Sequence, residues 1–390
     1  MEFKDAVSQR HSQNQSDHSV PTTQESELSL KIDSIAYGGA GVGRAGGKVY
    51  FVPFTVPGEQ VSVKVVRQQK RFCEARLLSV EVVAEEREEP RCKHFGICGG
   101  CAYQHVPYAQ QLVWKADQVR ELLQRVGRIE NPSVLPTVPS AAEWAYRNRI
   151  RVHSDGRRVG FYPKFGQELV DVAECPIASA PVNQALKALR KTHPEAGEYP
   201  LSARTGVRFF EQTNDSAAAE LLRVVDEVIL EKDVALEDDF ALVDAYSGAG
   251  FFGRRLAPRF TQVIGIETHE GAVEAAQRRA GPTERYVCGD VAVHLGPVLE
   301  ELTRARTVVL LDPPASGVEA RVTDLLTALQ VGRVVYVSCD PATLARDLGA
   351  LVRGGYRLRS VTPLDMFPQT ADVEVVAVLE PISTGGIEGR

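Results

Sequence analysis

Val243-Asp244-Ala245-Tyr246-Ser247-Gly248-Ala249-Gly250-Phe251-Phe252-Gly253 starts as an apolar strand and breaks into a glycine-rich turn that opens a helix. Glycines let a backbone approach a ligand closely, and the N–H groups of a helix N-terminus favour negative charge there. The spacing of Gly248, Gly250 and Gly253 fits a dinucleotide-type turn. Glu267 ends the next strand, where an acid can bind ribose hydroxyls. Outward from this turn, the strands Ala241–Tyr246, Gln262–Glu267, Thr307–Leu311 and Arg333–Ser338 alternate with amphipathic segments. That alternation predicts an α/β, Rossmann-like domain with a parallel sheet over residues 238–390. The turn alone does not separate a nicotinamide cofactor from S-adenosylmethionine, or either from a turn that only packs a helix on a strand.

Two further strand ends narrow the choice. Leu311-Asp312-Pro313-Pro314 follows an apolar strand, so Asp312 sits at a carboxyl end, where open α/β sheets bind ligands. An Asp-Pro-Pro turn suits a methyltransferase acting on a base better than a dehydrogenase. The following Ala315, where amine methylation favours an aromatic residue, weakens exocyclic amine chemistry. Val337-Ser338-Cys339-Asp340-Pro341 then puts a thiol at the end of the next strand, with Pro341 in the first turn of a helix. A helix N-terminus favours the thiolate, which predicts an activated nucleophile. Phe367-Pro368-Gln369-Thr370-Ala371-Asp372-Val373-Glu374 supplies Glu374 as a base at the start of the last strand, Val375–Leu379. Asp372 is a second candidate two residues away.

The first part of the chain differs in character. Residues 1–26 are polar and read as a disordered tail. Residues 27–84 hold short alternating strands separated by glycine turns such as Gly38-Gly39-Ala40-Gly41, which predicts a small β-barrel. Residues 85–237 form a central α+β region, with a helix from Tyr108 to about Val126. Its compact triplet Cys92, Cys98 and Cys101, with Cys175 further on, fits a four-thiolate site holding zinc or an iron–sulfur cluster. Cys73 and Cys288 read as packed thiols. No apolar run approaches the ~20 residues that span a bilayer, so a cytoplasmic protein is expected. The formal charge of −6 hides basic stretches at Lys31–Arg76 and Arg147–Lys164 that are able to meet phosphates.

With these motifs in order, the chain resembles the bacterial RNA uracil-5 methyltransferases, in particular those acting on 23S ribosomal RNA. The resemblance also rests on Tyr146-Arg147-Asn148-Arg149, on Gly160-Phe161-Tyr162 and on Val170-Asp171-Val172-Ala173-Glu174-Cys175-Pro176-Ile177. It implies that the barrel is a TRAM domain and that Cys92, Cys98, Cys101 and Cys175 hold a 4Fe–4S cluster. Gln212, Tyr246, Glu267 and Asp312 fall on positions that bind S-adenosylmethionine. Cys339 falls on the nucleophile and Glu374 on the base. The implied partner is RNA, with no membrane and no DNA, and the chain is expected to act as a monomer. Ala315, Asp340 and Asp372 depart from the Arg, Asn and His usual in the family, and bear on which uridine is chosen. Rival readings are a transfer RNA substrate, an oxidoreductase sharing the glycine turn, and a non-catalytic RNA-binding protein.

Overall fold

The computed structural model describes residues 27–204, 213–230 and 239–382. The expected tail and Gln212 lie outside the described residues. The first unit is a closed barrel of β1 (Glu27–Ile35), β2 (Ala40–Ala45), β3 (Lys48–Pro53), β4 (Gln60–Gln68) and β5 (Phe72–Val82), in the order β1-β2-β3-β5-β4. Alternation along each strand sends Leu30, Ile32, Val52, Val61, Val63 and Ala75 inward as one apolar core. Closure leaves no strand edge open to aggregation. The acidic linker that follows is tied down: Arg87 donates to Glu59 Oε2 and to the Phe54 carbonyl, both at 2.8 Å.

The central region is divided rather than forming one unit across residues 85–237. Its helix α1 (Tyr108–Arg125) matches the expected span. Beyond it, β6 (Arg149–Ser154), β7 (Val159–Phe161), β8 (Val170–Asp171) and β9 (Gly197–Ser202) make a four-stranded sheet in the order β8-β7-β6-β9, with α2 (Ala180–Lys191) packed on it. By contrast α1 and α3 (Asp215–Ile229) belong to the C-terminal core. Val119 and Leu123 of α1 join one face of its sheet, and Leu221, Val224 and Val225 of α3 join the other. The reason is burial of apolar stripes, each apolar side chain contributing about 1.5–3 kcal/mol.

The C-terminal unit runs β10 (Ala241–Ala245), α4 (Gly253–Leu256), β11 (Gln262–Glu267), α5 (Glu270–Gln277), β12 (Glu284–Cys288), α6 (Val291–Glu300), β13 (Thr307–Leu311), α7 (Ala320–Leu329), β14 (Arg333–Ser338), α8 (Pro341–Arg353), β15 (Tyr356–Leu364) and β16 (Glu374–Pro381). These strands form one seven-stranded sheet in the order β12-β11-β10-β13-β14-β16-β15. It is parallel except at β16, which runs antiparallel to both β14 and β15. Strand order reverses at β10, so a crevice opens beyond the carboxyl ends of β10 and β13. Among the described residues no helix is long and apolar enough to cross a membrane.

Candidate functional site

Glu267 closes β11, while Tyr246, Asp312 and Cys339 come at or just past the carboxyl ends of β10, β13 and β14, strands that lie side by side in the sheet. Strand β10 is wholly buried, and Asp244 Oδ2 accepts the Gly253 N–H at 2.8 Å, fastening the glycine turn to its strand. A Cβ on Gly253 would stand 2.9 Å from that oxygen, so this glycine serves packing. Gly248 differs: at φ 52° it has open space where its side chain would be. Its N–H donates to Glu267 Oε2 at 2.9 Å, while Glu267 Oε1 accepts from the His269 N–H at 2.8 Å. The carboxylate of Glu267 is thereby held still at the rim of β11. Tyr246, expected as the last strand residue, lies just past the strand in the left-handed region at φ 66°, a costly backbone for a non-glycine residue. The turn can therefore cradle an elongated polar ligand.

Asp312 leaves β13 with its N–H directed to the Ala245 carbonyl at 3.3 Å. Burial pushes its carboxyl up to about 7, with Asp244 nearby adding to the shift. Burial likewise lifts Asp244 to about 7. Glu374, 4% exposed at the first position of β16, is raised well above the ordinary carboxylate range by burial and then by Asp312. A cluster of acids that resist ionising while alone favours a cationic guest, whose charge would stabilise their anionic forms.

Cys339 sits between Ser338 and Asp340 at the N-terminus of α8, reachable from the cleft. Asp340 caps that helix, its Oδ1 accepting from the Ala342 N–H at 2.9 Å and the Thr343 N–H at 3.1 Å. This accounts for one departure from the family pattern, since Asp and Asn are equivalent caps. Thr343 also donates to the Ala315 carbonyl at 3.0 Å, joining α8 to the Asp-Pro-Pro turn. The helix N-terminus, which favours the Cys339 thiolate, is opposed here. Although the side chain reaches the cleft, burial of its sulfur raises it to about 12, with Glu374, Asp312 and Asp372 adding to the rise. Burial and the carboxyls outweigh the helix N-terminus. Asp372 lies in the loop before β16 and is exposed, whereas Glu374 is buried.

The loop between β15 and β16 is gripped by residues that precede the C-terminal sheet in the chain, a role that the sequence reading assigned to none of them. Lys115 on α1 makes a fully buried ion pair with Asp365 at 2.6 Å and donates to the Phe367 carbonyl at 3.1 Å. Tyr146 donates to the Pro368 carbonyl at 2.9 Å, and Asn214 to the Met366 carbonyl at 3.0 Å. The one available signal was that Lys115 and Gln111, polar residues, lie four apart on α1, on the face that turns out to be buried.

The four cysteines singled out in the sequence share one cavity. Cys92, Cys98, Cys101 and Cys175 line one cavity of about 220 Å³, closed elsewhere by side chains such as Phe95, Ile150 and Phe161. All are free thiols. Burial pushes Cys98 up to about 11 and Cys101 to about 12, and the neighbouring thiols of the quartet raise both further. Among the described residues no group of three or more His, Cys, Asp and Glu converges to hold a single metal ion. The donor set and the cavity fit a soft, multi-atom group that accepts several thiolates. Cys73 is buried as expected, but Cys288 is exposed at the end of β12.

The basic stretches are less free than their composition implied. Arg44 pairs with Asp33 at 3.0 Å, Arg67 with Glu74 at 3.7 Å, Arg151 with Glu198 at 3.2 Å and Arg158 with Asp155 at 2.8 Å. Arg67 and Glu74 are register partners across β4 and β5, whereas Arg158 and Asp155 pair within one turn.

Residues 21–78 match the family model described as the TRAM domain, and residues 299–382 the one described as tRNA (Uracil-5-)-methyltransferase. The chain is 31% identical to an uncharacterized RNA methyltransferase of Nitratidesulfovibrio vulgaris, over 90% of this chain and 95% of that protein. A protein of Aquifex aeolicus with the same description is 28% identical, over 90% of this chain and 98% of the other. Among solved structures, the tRNA (uracil-54, C5)-methyltransferase of Pyrococcus abyssi in complex with S-adenosyl-L-homocysteine matches with a TM-score of 0.66 at 24% identity. The match covers 90% of this chain and 100% of that one, and is a likeness of fold.

Proposed function

Since the chain belongs to the family of S-adenosylmethionine-dependent RNA methyltransferases, we propose that it methylates carbon 5 of a uridine through a covalent bond from Cys339 to carbon 6. The observation that carries this reading is that β13, β14 and β16 are neighbours in the sheet, with Ser338 paired to Val375, so that Asp312, Cys339 and Glu374 stand at adjacent strand ends. S-adenosylmethionine supplies an electrophilic methyl on a sulfonium. The Gly248 turn, Tyr246, Glu267 and Asp312 form its site, joined by Gln212.

Carbon 5 of uracil is too weak a nucleophile to take a methyl group unaided. The Cys339 thiolate adds to carbon 6, and the ring's electrons shift to an enolate that attacks the methyl through carbon 5. Glu374, as carboxylate, then takes the proton from carbon 5, the carbon 5–carbon 6 double bond re-forms and the thiolate leaves. The raised affinity of Glu374 for a proton makes it a stronger base than an exposed glutamate once it is ionised. A stacked or paired uracil does not present carbon 6 to a thiol, so the target is an extruded or looped-out nucleotide.

The proposed resident of the cysteine cavity is a 4Fe–4S cluster held by Cys92, Cys98, Cys101 and Cys175. It would act as a cross-link organising the central region, because the reaction written above moves no net electron. The proposed RNA is 23S ribosomal RNA, on the resemblance that includes the cysteine quartet. Transfer RNA is the second reading, favoured by the family model matched at residues 299–382. The proposed setting is the cytoplasm, with the chain acting as a monomer.

Purified protein given labelled S-adenosylmethionine with 23S RNA or with transfer RNA tests the whole reading, and Cys339→Ala and Glu374→Gln test the roles. Cys339→Ala should give neither methylation nor adduct. Glu374→Gln should accumulate a methylated protein–RNA adduct that survives denaturation. An adduct trapped by Asp372→Asn, with normal turnover in Glu374→Gln, would move the base to Asp372.

A further inference from the structure

One residue of the β15–β16 loop is held at every polar atom of its backbone, in a conformation it would not choose alone. Gln369 has φ 70°, the left-handed region that a long side chain rarely occupies. Its N–H donates to Gln111 Oε1 at 3.0 Å, and its side-chain Oε1 accepts from Gln111 Nε2 at 3.0 Å. Its carbonyl accepts two further bonds, from the Ala102 N–H at 2.9 Å and the Tyr103 N–H at 3.0 Å. Gln111 is itself anchored, since Nε2 also lies 3.2 Å from the Tyr103 and Val106 carbonyls. Both glutamines are almost wholly buried. A strained backbone persists only where surrounding contacts over-determine it, and such places are concentrated where geometry must be precise.

What lies on either side of Gln369 gives the clamp its meaning. Five residues later comes Glu374. Ala102 and Tyr103 directly follow Cys101 of the thiol cavity. Next to the clamp, Ala371 packs under the barrel turn, where a Cβ on Gly39 would meet its Cβ at 3.2 Å and that of Ala102 at 2.9 Å. The barrel, the cysteine segment and α1 therefore meet at this one loop.

We propose that Gln369, locked by Gln111, is a positioning residue for proton removal. It sets the reach of Glu374 toward carbon 5 while leaving thiol addition and methyl transfer to the elements around β10, β13 and β14. The inference rests on the reaction proposed above. The loop of residues 367–373 would otherwise sample many conformations beside the base; the paired amides of Gln111 and Gln369 select one.

RNA carrying tritium at carbon 5 of its uridines separates the steps in the full-length protein. Adduct formation and methyl incorporation report the thiol and the donor, and tritium release reports the base. Gln369→Ala leaves Gln111 its bonds to Tyr103 and Val106, and is the variant least apt to unfold. It should form methylated adduct within about twofold of the unsubstituted rate but release tritium about tenfold or more slowly, a fraction of what a general base supplies. Gln111→Ala should do the same, and the double variant should be no worse than either single, as for two partners in one interaction. Parallel loss of adduct formation and tritium release in Gln369→Ala would mean a merely structural role and overturn the inference. So would unchanged tritium release. If the unsubstituted protein gives neither adduct nor tritium release with either RNA, the reaction itself fails and takes the inference with it. A normal unsubstituted protein with parallel losses in the variant sinks the inference alone.

Discussion

Desolvation raises thiols at the end of β14 and in the central cavity, and the contrast between the two places lies in the company each thiol keeps. At the end of β14, Cys339 is raised to about 12 among carboxyls, chiefly Glu374 and Asp312. In the central cavity Cys101 is raised to the same value among other thiols, Cys175, Cys98 and Cys92. Burial is the leading cause in both, so burial does not distinguish the two places. Acids beside a thiol provide proton acceptors and attract a cationic donor. Thiols beside a thiol repel one another as anions and are stabilised together only by a shared cationic group.

The largest test of that contrast is to remove one thiol from each place. Cys339→Ala should abolish methyl transfer, yet it deletes a cleft-facing atom and should shift stability by no more than about 0.5 kcal/mol. Cys101→Ala should act the other way. It leaves Cys339 and Glu374 in place but should lower the melting temperature, cut iron content below the four atoms expected of a cubane, and bleach the protein's colour. It should also slow proton release more than adduct formation, because Ala102 and Tyr103 hold Gln369. Full stability and one bound zinc in the unsubstituted protein would break the comparison on the side of the cavity.

The two places were unequally legible in the sequence. The crevice could be read because each of its residues sits beside a local marker: a glycine turn for Tyr246, paired prolines for Asp312, a helix-opening proline for Cys339. The quartet could be gathered from spacing, although its choice of group could not. The clamp was invisible, since Gln111 and Gln369 are 258 positions apart and neither has a local signature. Strand β12 was missed for a related reason: Glu284 and Arg285 are polar residues on an edge strand, which carries little apolar alternation. The helix cap by Asp340 was readable in principle, because Asp before Pro at a strand end is a common helix start. The thiolate favoured by that same helix start is opposed first by desolvation and then by acids brought in from β13 and β16, which are tertiary facts.

A middle-sized effect should come from Asp312→Asn. With its carboxyl near 7 in the folded protein, Asp312 is protonated at pH 5 while the unfolded chain, with an ordinary carboxyl near about 4, is already ionised. The folded state then binds the extra proton. Its stability is full below pH 4 and falls as pH rises toward 7. Asn removes that loss, so the ligand-free variant should match the unsubstituted protein at pH 4 and melt higher at pH 8. It should also bind S-adenosylmethionine poorly, the exchange of stability for function expected of a strained site. Identical melting curves at pH 8 would show that Asp312 is not held against its charge.

The smallest effect belongs to Asp372, the exposed acid that stands where the family usually has His. Its carboxylate is the last of the influences raising Cys339, behind burial, Glu374 and Asp312. Asp372→Asn removes one negative charge near the sulfur, so the thiolate is disfavoured less and the pH profile of adduct formation should move to lower pH. The group is open to solvent, so the shift should stay below about one pH unit and shrink in high salt, as interactions of exposed charges do. Asp372→His, which adds a cationic form at low pH, should move the profile in the same direction and slightly further. A profile that stays put in both variants would mean that solvent screens Asp372 from the thiol. The acidic residue at this position would then act on the RNA rather than on the nucleophile, and its effect would appear in the affinity for substrate instead of in the pH dependence of bond formation.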